Sequence, residues 1–245
     1  MKTNTMKTIA VAIITAGIVT VGQAAPLVSE TFDAYTPTAF LTSPWTSSDN
    51  GGSTIRVETG TGTDTTPVMK SVNAGNSGAS ASVTFAAQTS GILDFSFDVQ
   101  DIAMGGNGQY FEIGLGNGSY FPVTFMVGRG GGAGATYLVK NGAGSFVGSG
   151  TLNYGDWYTW SGKINLTLGT WTLNPGADPV VTGTFTPGAT IDRFTTLAWN
   201  TTDIGSAAVD NISLAIEVVP EPSTVLLFAL GGGVVLAYRR RQRAM

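Results

Sequence analysis

Hydrophobic and polar residues alternate through much of this chain. The clearest run is residues 92–101 (ILDFSFDVQD), in which every second residue from Leu93 to Val99 is apolar and the residues between are polar. A period of two is that of a β-strand with one face in a core and the other in water. Between the two ends of the chain, no apolar stripe with a period of 3.6 residues is long enough for a helix. The pattern therefore predicts strands.

Further runs share this strand character along the chain. They are separated by turn signals such as Asn117-Gly118, Asn141-Gly142 and Asn174-Pro175-Gly176. Many short strands joined by such turns predict one antiparallel β-sandwich. The further runs cover residues 81–86, 110–115, 121–127, 136–139, 157–168, 171–173, 180–185, 194–200 and 207–218.

Residues 1–24 have the order of a secretory signal peptide. Lys2 and Lys7 precede the apolar run 8–21, and small residues follow that run. Cleavage after Ala24 fits the small-residue requirement better than cleavage after Ala25. We therefore expect the secretion translocon and signal peptidase to process this end. The alternative is a retained N-terminal membrane helix.

Near the other end, residues 223–238 (STVLLFALGGGVVLAY) form an uncharged apolar run that four arginines follow. As a helix this run is about 24 Å long, and snorkelling arginines extend it toward the hydrocarbon thickness of roughly 30 Å. Basic clusters stay on the cytoplasmic side, so the run predicts a single transmembrane helix with the body outside the cytoplasm. A buried core helix is the alternative. The arginines are Arg239, Arg240, Arg241 and Arg243.

The tripeptide Pro220-Glu221-Pro222 stands directly before this helix. Proline lacks a backbone donor and disfavours helix in the residue before it, so we expect the tripeptide to be extended. Residues 219–245 resemble the PEP-CTERM sorting signal of bacteria that make extracellular polysaccharide. The resemblance implies that an exosortase recognises the tripeptide, removes the transient inner-membrane anchor and delivers the body to the cell surface or beyond. A proline-rich stalk before an ordinary anchor is the alternative.

The body, residues 25–218, is acidic and lacks two kinds of reactive side chain. It has fifteen acidic and six basic residues, a net charge of −9, which disfavours nucleic acid as a partner. Absence of cysteine excludes disulfides. Absence of histidine excludes Ser-His-Asp triads and the usual zinc sites. Any catalysis would therefore depend on carboxylates, lysine or tyrosine.

The first and last strands of the body, 28–33 and 208–214, resemble those of concanavalin-like and carbohydrate-module jelly rolls. This resemblance implies a jelly-roll-like sandwich whose terminal strands lie near each other and often hold a structural calcium. Glu30, Asp33 and Asp210 are the residues that would fit such a calcium. Calcium takes six to eight oxygen ligands, so solvated turn carboxylates are the alternative for these three residues.

The sequence leads to a preferred function and two alternatives. We expect a non-enzymatic cell-surface or matrix protein that binds extracellular polysaccharide, supported by the sorting signal and by the aromatic residues. Trp157 lies on the polar side of its strand and is the candidate for stacking on sugar. Alternation places Tyr158 and Trp160 on the core side with Leu168, whereas Trp45 is a further aromatic candidate.

The first alternative is a glycoside hydrolase or lyase on the same fold, which needs two carboxylates about 5–10 Å apart. Asp94, Asp98 and Glu112 are the residues to test. Asp94 and Asp98 share one strand face but are about 13 Å apart at Cα, which is long for such a pair. The second alternative is a purely structural matrix or adhesion protein.

Overall fold

All regular structure in the described residues is β-structure. The computed structural model describes residues 26–49, 53–60, 65–72, 78–102, 110–128, 135–176, 178–199 and 207–217. The predicted signal peptide, the tripeptide, the membrane helix and the arginine cluster lie outside these ranges. Within them we find no helix with the length and apolar character that a membrane crossing needs.

Fifteen strands are assigned in the described residues. They are β1 (Val28–Glu30), β2 (Trp45–Ser48), β3 (Thr54–Thr59), β4 (Pro67–Val72), β5 (Gly78–Gln88), β6 (Ile92–Asp101), β7 (Tyr110–Gly116), β8 (Val123–Val127), β9 (Ala135–Asn141), β10 (Phe146–Leu152), β11 (Trp157–Asn165), β12 (Thr170–Asn174), β13 (Val181–Thr184), β14 (Ile191–Trp199) and β15 (Ala207–Ile216).

The strands form two antiparallel sheets that face each other. Sheet A has the order β13-β12-β11-β6-β15-β4-β3, with β1 paired to β15. Sheet B has the order β10-β9-β8-β7-β14-β5-β2. Most neighbours within a sheet are distant in sequence, as in a jelly roll. The predicted antiparallel, jelly-roll-like β-sandwich is confirmed.

The core lies between the two sheets and is rich in aromatic rings. Trp160 of β11 is fully buried and packs on Phe97 of the neighbouring strand, with ring centroids 5.9 Å apart. Across the core it meets Phe125 at 6.0 Å and Tyr137 at 5.1 Å, both in edge-on geometry. Such pairs add to the stability that burial provides. The prediction that Trp160 belongs to the core is confirmed.

Most strand boundaries differ from those expected by a few residues, and two of the differences change where a residue lies. The predicted strand 157–168 ends at Asn165, so Leu168 lies in a turn and is 66% exposed rather than on the core side. The Asn165 side chain ends the strand by accepting a hydrogen bond from the Leu168 backbone N–H at 2.9 Å. The predicted strand 28–33 ends at Glu30, because Phe32 has a positive φ of 58°.

β15 has a central place in sheet A. It pairs with β6 along most of its length, with β4 at Ala208 and Val209, and with β1 near its end. Its register with β6 shifts between Asp210 and Ser213, where Asn211 has a φ of 49°. A β-bulge of this kind re-aims side chains, and asparagine tolerates this backbone region better than most residues.

Candidate functional site

An open groove of about 480 Å³ crosses the outer face of sheet A. Its floor is a row of small hydroxyl side chains that the strand register aligns. Ser96 of β6 is the direct partner of Ser213 on β15 and of Ser161 on β11. Because all three lie between core-facing residues, their hydroxyls point away from the core. Asn174 of β12 continues the row as the partner of Ser161.

A cluster of three charges borders the groove. The Lys163 ammonium donates to Glu217 Oε2 at 2.8 Å and lies 3.3 Å from Asp94 Oδ1. These two hydrogen bonds, that to Glu217 being the larger influence, raise the pKa of Lys163 above its ordinary value. The cluster is exposed, so it contributes little stability. It does present both donors and acceptors to whatever enters the groove.

Asp98, on the same face of β6, holds three strands together. One carboxylate oxygen accepts from Thr159 Oγ1 of β11 at 2.6 Å, and the other accepts from Asn211 Nδ2 of β15 at 2.7 Å. Charge-assisted hydrogen bonds of this length are among the stronger ones. Both carboxylate oxygens of Asp98 therefore bind neighbouring strands of sheet A, which gives Asp98 a structural role.

A smaller cavity of about 210 Å³ lies on the outer face of sheet B. Glu112 of β7 reaches into it beside Phe121 and the hydroxyls of Ser80 and Thr195. Burial raises the pKa of Glu112, and the nearby Lys140 ammonium opposes part of that rise. A methyl group on Gly114 would collide with the Phe121 ring, so this glycine is what lets the ring lie against the sheet.

The carboxylates considered for catalysis are divided between the two outer faces. Asp94 and Asp98 lie outside sheet A, whereas Glu112 lies outside sheet B, with the core between them. Glu112 therefore pairs with neither aspartate. Asp94 and Asp98 are four residues apart on one strand, about 13 Å at Cα, which is long for acid–base work on one glycosidic bond. Asp94 is also engaged by Lys163.

The aromatic candidates have different positions. Trp45 is buried, packs on Phe32 and Phe194, and donates from Nε1 to Glu30 Oε2 at 3.2 Å, so it is not available to a ligand. Trp157 is half-buried on the outer face of sheet A, four residues before Ser161 and outside the groove lining. Its indole nitrogen is buried and has no hydrogen-bond partner among the described residues. Sugar stacking on Trp157 stays a prediction.

The residues considered for calcium do not form a cluster. Glu30 accepts hydrogen bonds from the Phe32 backbone N–H at 2.9 Å and from Trp45, so it holds the turn after β1. Asp33 is exposed, and Asp210 is 4% exposed and partners Asp98 across the ladder. In the described part of the chain no three acidic side chains are close enough to hold a metal ion. Calcium binding stays a prediction. It would be supported if calcium raised the Tm of the unaltered protein and did not raise the Tm of Asp33→Asn.

Sequence reasoning missed the serine row and the charge cluster. Alternation did place Ser96, Ser161 and Lys163 on polar faces, which is the signal available. It does not reveal which residue of one strand lies beside which residue of the next. That information is in the register, which joins residues such as Ser96 and Ser213.

Comparison with protein families identifies the C-terminal segment. Residues 218–242 match the family described as the PEP-CTERM protein-sorting motif. The chain therefore carries this sorting motif, as its resemblance implied. A search of curated protein sequences gives no match.

Comparison with solved structures supports the fold. A sialidase superposes with a TM-score of 0.63 at 14% identity over 79% of this chain, which spans 19% of the sialidase. The CBM2 module of the evolved Dit of Lactobacillus casei BL23 phage J-1 gives 0.56 at 12% identity, covering 81% of this chain and 98% of the module. The Emp47p carbohydrate recognition domain gives 0.53 at 12% identity, covering 80% and 98%. At these identities the likeness shows a shared jelly-roll fold.

Proposed function

We propose that this protein is an exported, exosortase-sorted component of the cell surface or extracellular matrix whose sandwich binds polysaccharide without cleaving it. The observation that carries the sorting part is the motif match at residues 218–242. A signal peptide over residues 1–24 supplies the entry to the export route, with cleavage after Ala24. Exosortase then acts on Pro220-Glu221-Pro222 and separates the body from its anchor.

The groove on sheet A supports the polysaccharide part. A sugar chain presents alternating hydroxyl donors and acceptors, and the row of Ser96, Ser161 and Ser213 offers matching hydroxyls across three strands. The Lys163 cluster and Asn174 add fixed donors and acceptors at its borders. Carbohydrate recognition by jelly-roll neighbours such as the Emp47p domain agrees with this assignment.

The chemistry of the groove favours weak binding that repetition strengthens. An open polar groove gains little from burial, because each hydrogen bond to the sugar replaces one to water. A matrix that displays many copies along one polymer converts such contacts into avidity. We therefore expect binding to long chains and little binding to short oligosaccharides.

A blocked groove tests this assignment. Ser161→Trp places an indole over the floor of the groove, where it displaces the sugar, and should lower binding to the extracellular polysaccharide by at least about tenfold. Thr84→Trp, at an exposed position on β5 of the other sheet, is the matched control and should bind as the unaltered protein does. Affinity electrophoresis in polysaccharide-containing gels measures both. Equal binding by the two variants would show that the groove is not the binding site. If no form binds the polysaccharide, the protein is instead a purely structural matrix protein.

A further inference from the structure

The last strand of the sandwich, β15, stays hydrogen-bonded to β6 up to and just beyond its final residue. After β15 ends at Ile216, the Glu217 backbone N–H still donates to the Ile92 carbonyl at 2.8 Å. The Glu217 side chain is held in turn by Lys163 at 2.8 Å. The backbone is therefore hydrogen-bonded to the sandwich as far as Glu217, the last residue of this range that the structure describes.

Only two residues lie between this point and the sorting tripeptide. Pro220 is the third residue after Glu217, and three residues can span no more than about 10 Å. An enzyme that holds the tripeptide therefore has the sandwich within about 10 Å of it.

The N-terminal strand β1 begins at the same end of the sandwich, where β15 finishes. The Leu27 backbone N–H donates to the Leu214 carbonyl at 2.7 Å, and Val28 is the direct partner of Leu214. Because β1 and β15 are antiparallel, the chain enters the body beside the place where it leaves. The predicted signal cleavage site and the sorting motif are thus both a few residues from one end of the sandwich.

Five turns gather at this end, which we call the exit end. The strand registers bring them together, since β6 begins there, β11 and β7 finish there, and β14 begins there. None of these turns contains a charged residue, although the body is acidic. The turns are residues 89–91 (TSG), 117–121 (NGSYF), 142–145 (GAGS), 167–169 (TLG) and 186–190 (TPGAT).

The charge distribution distinguishes the two ends of the sandwich. At the opposite end, the described turns include Asp156 and Asp178. At the exit end, the nearest charges of the described residues lie on strands or strand ends and not in the turns: they are Lys140, Asp192, Arg193 and Glu217. Leu168 is also exposed at 66% in turn 167–169. The turn around Leu168 has no charged residue, so a protein can cover it without the cost of burying a charge there.

We propose that the exit end is a docking surface for exosortase, which contacts the turn around Leu168 while it holds the sorting tripeptide. This inference rests on the proposed sorting function and adds a second recognition element to it. The short connection brings the enzyme to this surface, and the neutral turns allow the contact. Processing therefore depends on the folded body as well as on the tripeptide.

Two matched substitutions test the docking surface. Leu168→Glu puts a carboxylate into the contact, and Val180→Glu puts one at a similarly exposed apolar residue (61%) in the β12–β13 turn of the opposite end. In cells that carry the enzyme, the full chain is followed by mass spectrometry and gel mobility for loss of the C-terminal segment. We expect Leu168→Glu to slow processing about tenfold and Val180→Glu to leave it unchanged. Thermal unfolding of both exported proteins confirms that each is folded.

A linker inserted before the tripeptide tests whether slower processing of Leu168→Glu comes from lost contact between the enzyme and the exit end. A Gly/Ser linker of about ten residues after Val218 lets the enzyme hold the tripeptide away from the sandwich, so it should restore processing of Leu168→Glu. Unchanged processing of Leu168→Glu, slowing by both substitutions alike, or failure of the linker to restore it would overturn the docking surface. Replacing Pro220, Glu221 and Pro222 by alanine tests the proposed function separately. If that variant is still processed normally, the sorting function itself is wrong.

Discussion

Asp98 illustrates how the role of a residue depends on its neighbours. As a carboxylate on the polar face of β6 it was a candidate for catalysis, but its oxygens accept hydrogen bonds from Thr159 and Asn211 on the two flanking strands. Asp94, four residues earlier on the same face, pairs with the exposed Lys163 ammonium at 3.3 Å. The two aspartates should therefore differ in their effect on stability.

We expect Asp98→Ala to lower the free energy of unfolding by about 1–3 kcal/mol, because Thr159 and Asn211 lose their acceptor. Asp94→Ala, the matched control, should change it by less than about 1 kcal/mol, because an exposed ion pair contributes little. Urea denaturation of both variants measures the difference. Equal losses would contradict the structural role of Asp98.

Glu112 should make stability depend on pH. Burial raises its pKa in the folded state above 4.5, so the folded protein favours the protonated carboxyl. Below the unfolded pKa the group costs nothing, and as pH rises through the window between the unfolded and folded pKa the ionised form destabilises the fold. We expect the stability advantage of Glu112→Gln over the unaltered protein to be larger at pH 8 than at pH 4. Urea unfolding at both pH values tests this, and a gain that shrinks with rising pH would refute it.

At the scale of strands, close pairing requires small residues in particular places. Gly183 of β13 is the direct partner of Trp171 on β12, and a Cβ on Gly183 would overlap the buried indole. The glycine therefore lets the tryptophan lie flat beneath the edge of sheet A. In the sequence, Gly183 is only one of 34 glycines and carries no mark of this role.

Gly183→Ala should destabilise the protein by about 1–3 kcal/mol, because the core has no room for the added methyl group. Thr182→Val, on the exposed side of the same strand, should change stability by no more than about 0.5 kcal/mol. Thermal and urea unfolding of the two variants give the comparison. If Gly183→Ala is as stable as Thr182→Val, the packing of Trp171 does not depend on the glycine.

At the scale of the whole molecule, sheet A is completed only by the last strand of the body. β15 pairs with β1, β4 and β6, which come from the first half of the chain. Such long-range pairing is slow to form, because the loop between the strands must close first. The body therefore finishes folding only when residues next to the sorting motif have been exported. This order agrees with the proposal that processing takes place at the exit end of the folded sandwich.

The fold class and the C-terminal sorting motif were predictable from local patterns. Period-two alternation needs only neighbouring residues, so residues 92–101 were identified with their true bounds as β6. The sorting motif is likewise a contiguous segment, and its match covers residues 218–242. The N-terminal signal depends on the same kind of local order and stays a prediction. Strands with fewer apolar residues, such as β2 and β10, were missed because their alternation is weak.

Composition by itself determined which chemistry is excluded, since a chain without histidine or cysteine lacks those groups in any fold. Only the tertiary structure decided which polar residues meet. The serine row, the Lys163 cluster and the hydrogen bonds of Asp98 join residues that are far apart in sequence. Ser96 and Ser213, for example, are more than 100 positions apart. Alternation assigns each residue to a face, but register is set by the packing of both sheets around one core. The same packing brings the entry and exit of the chain to one end of the sandwich.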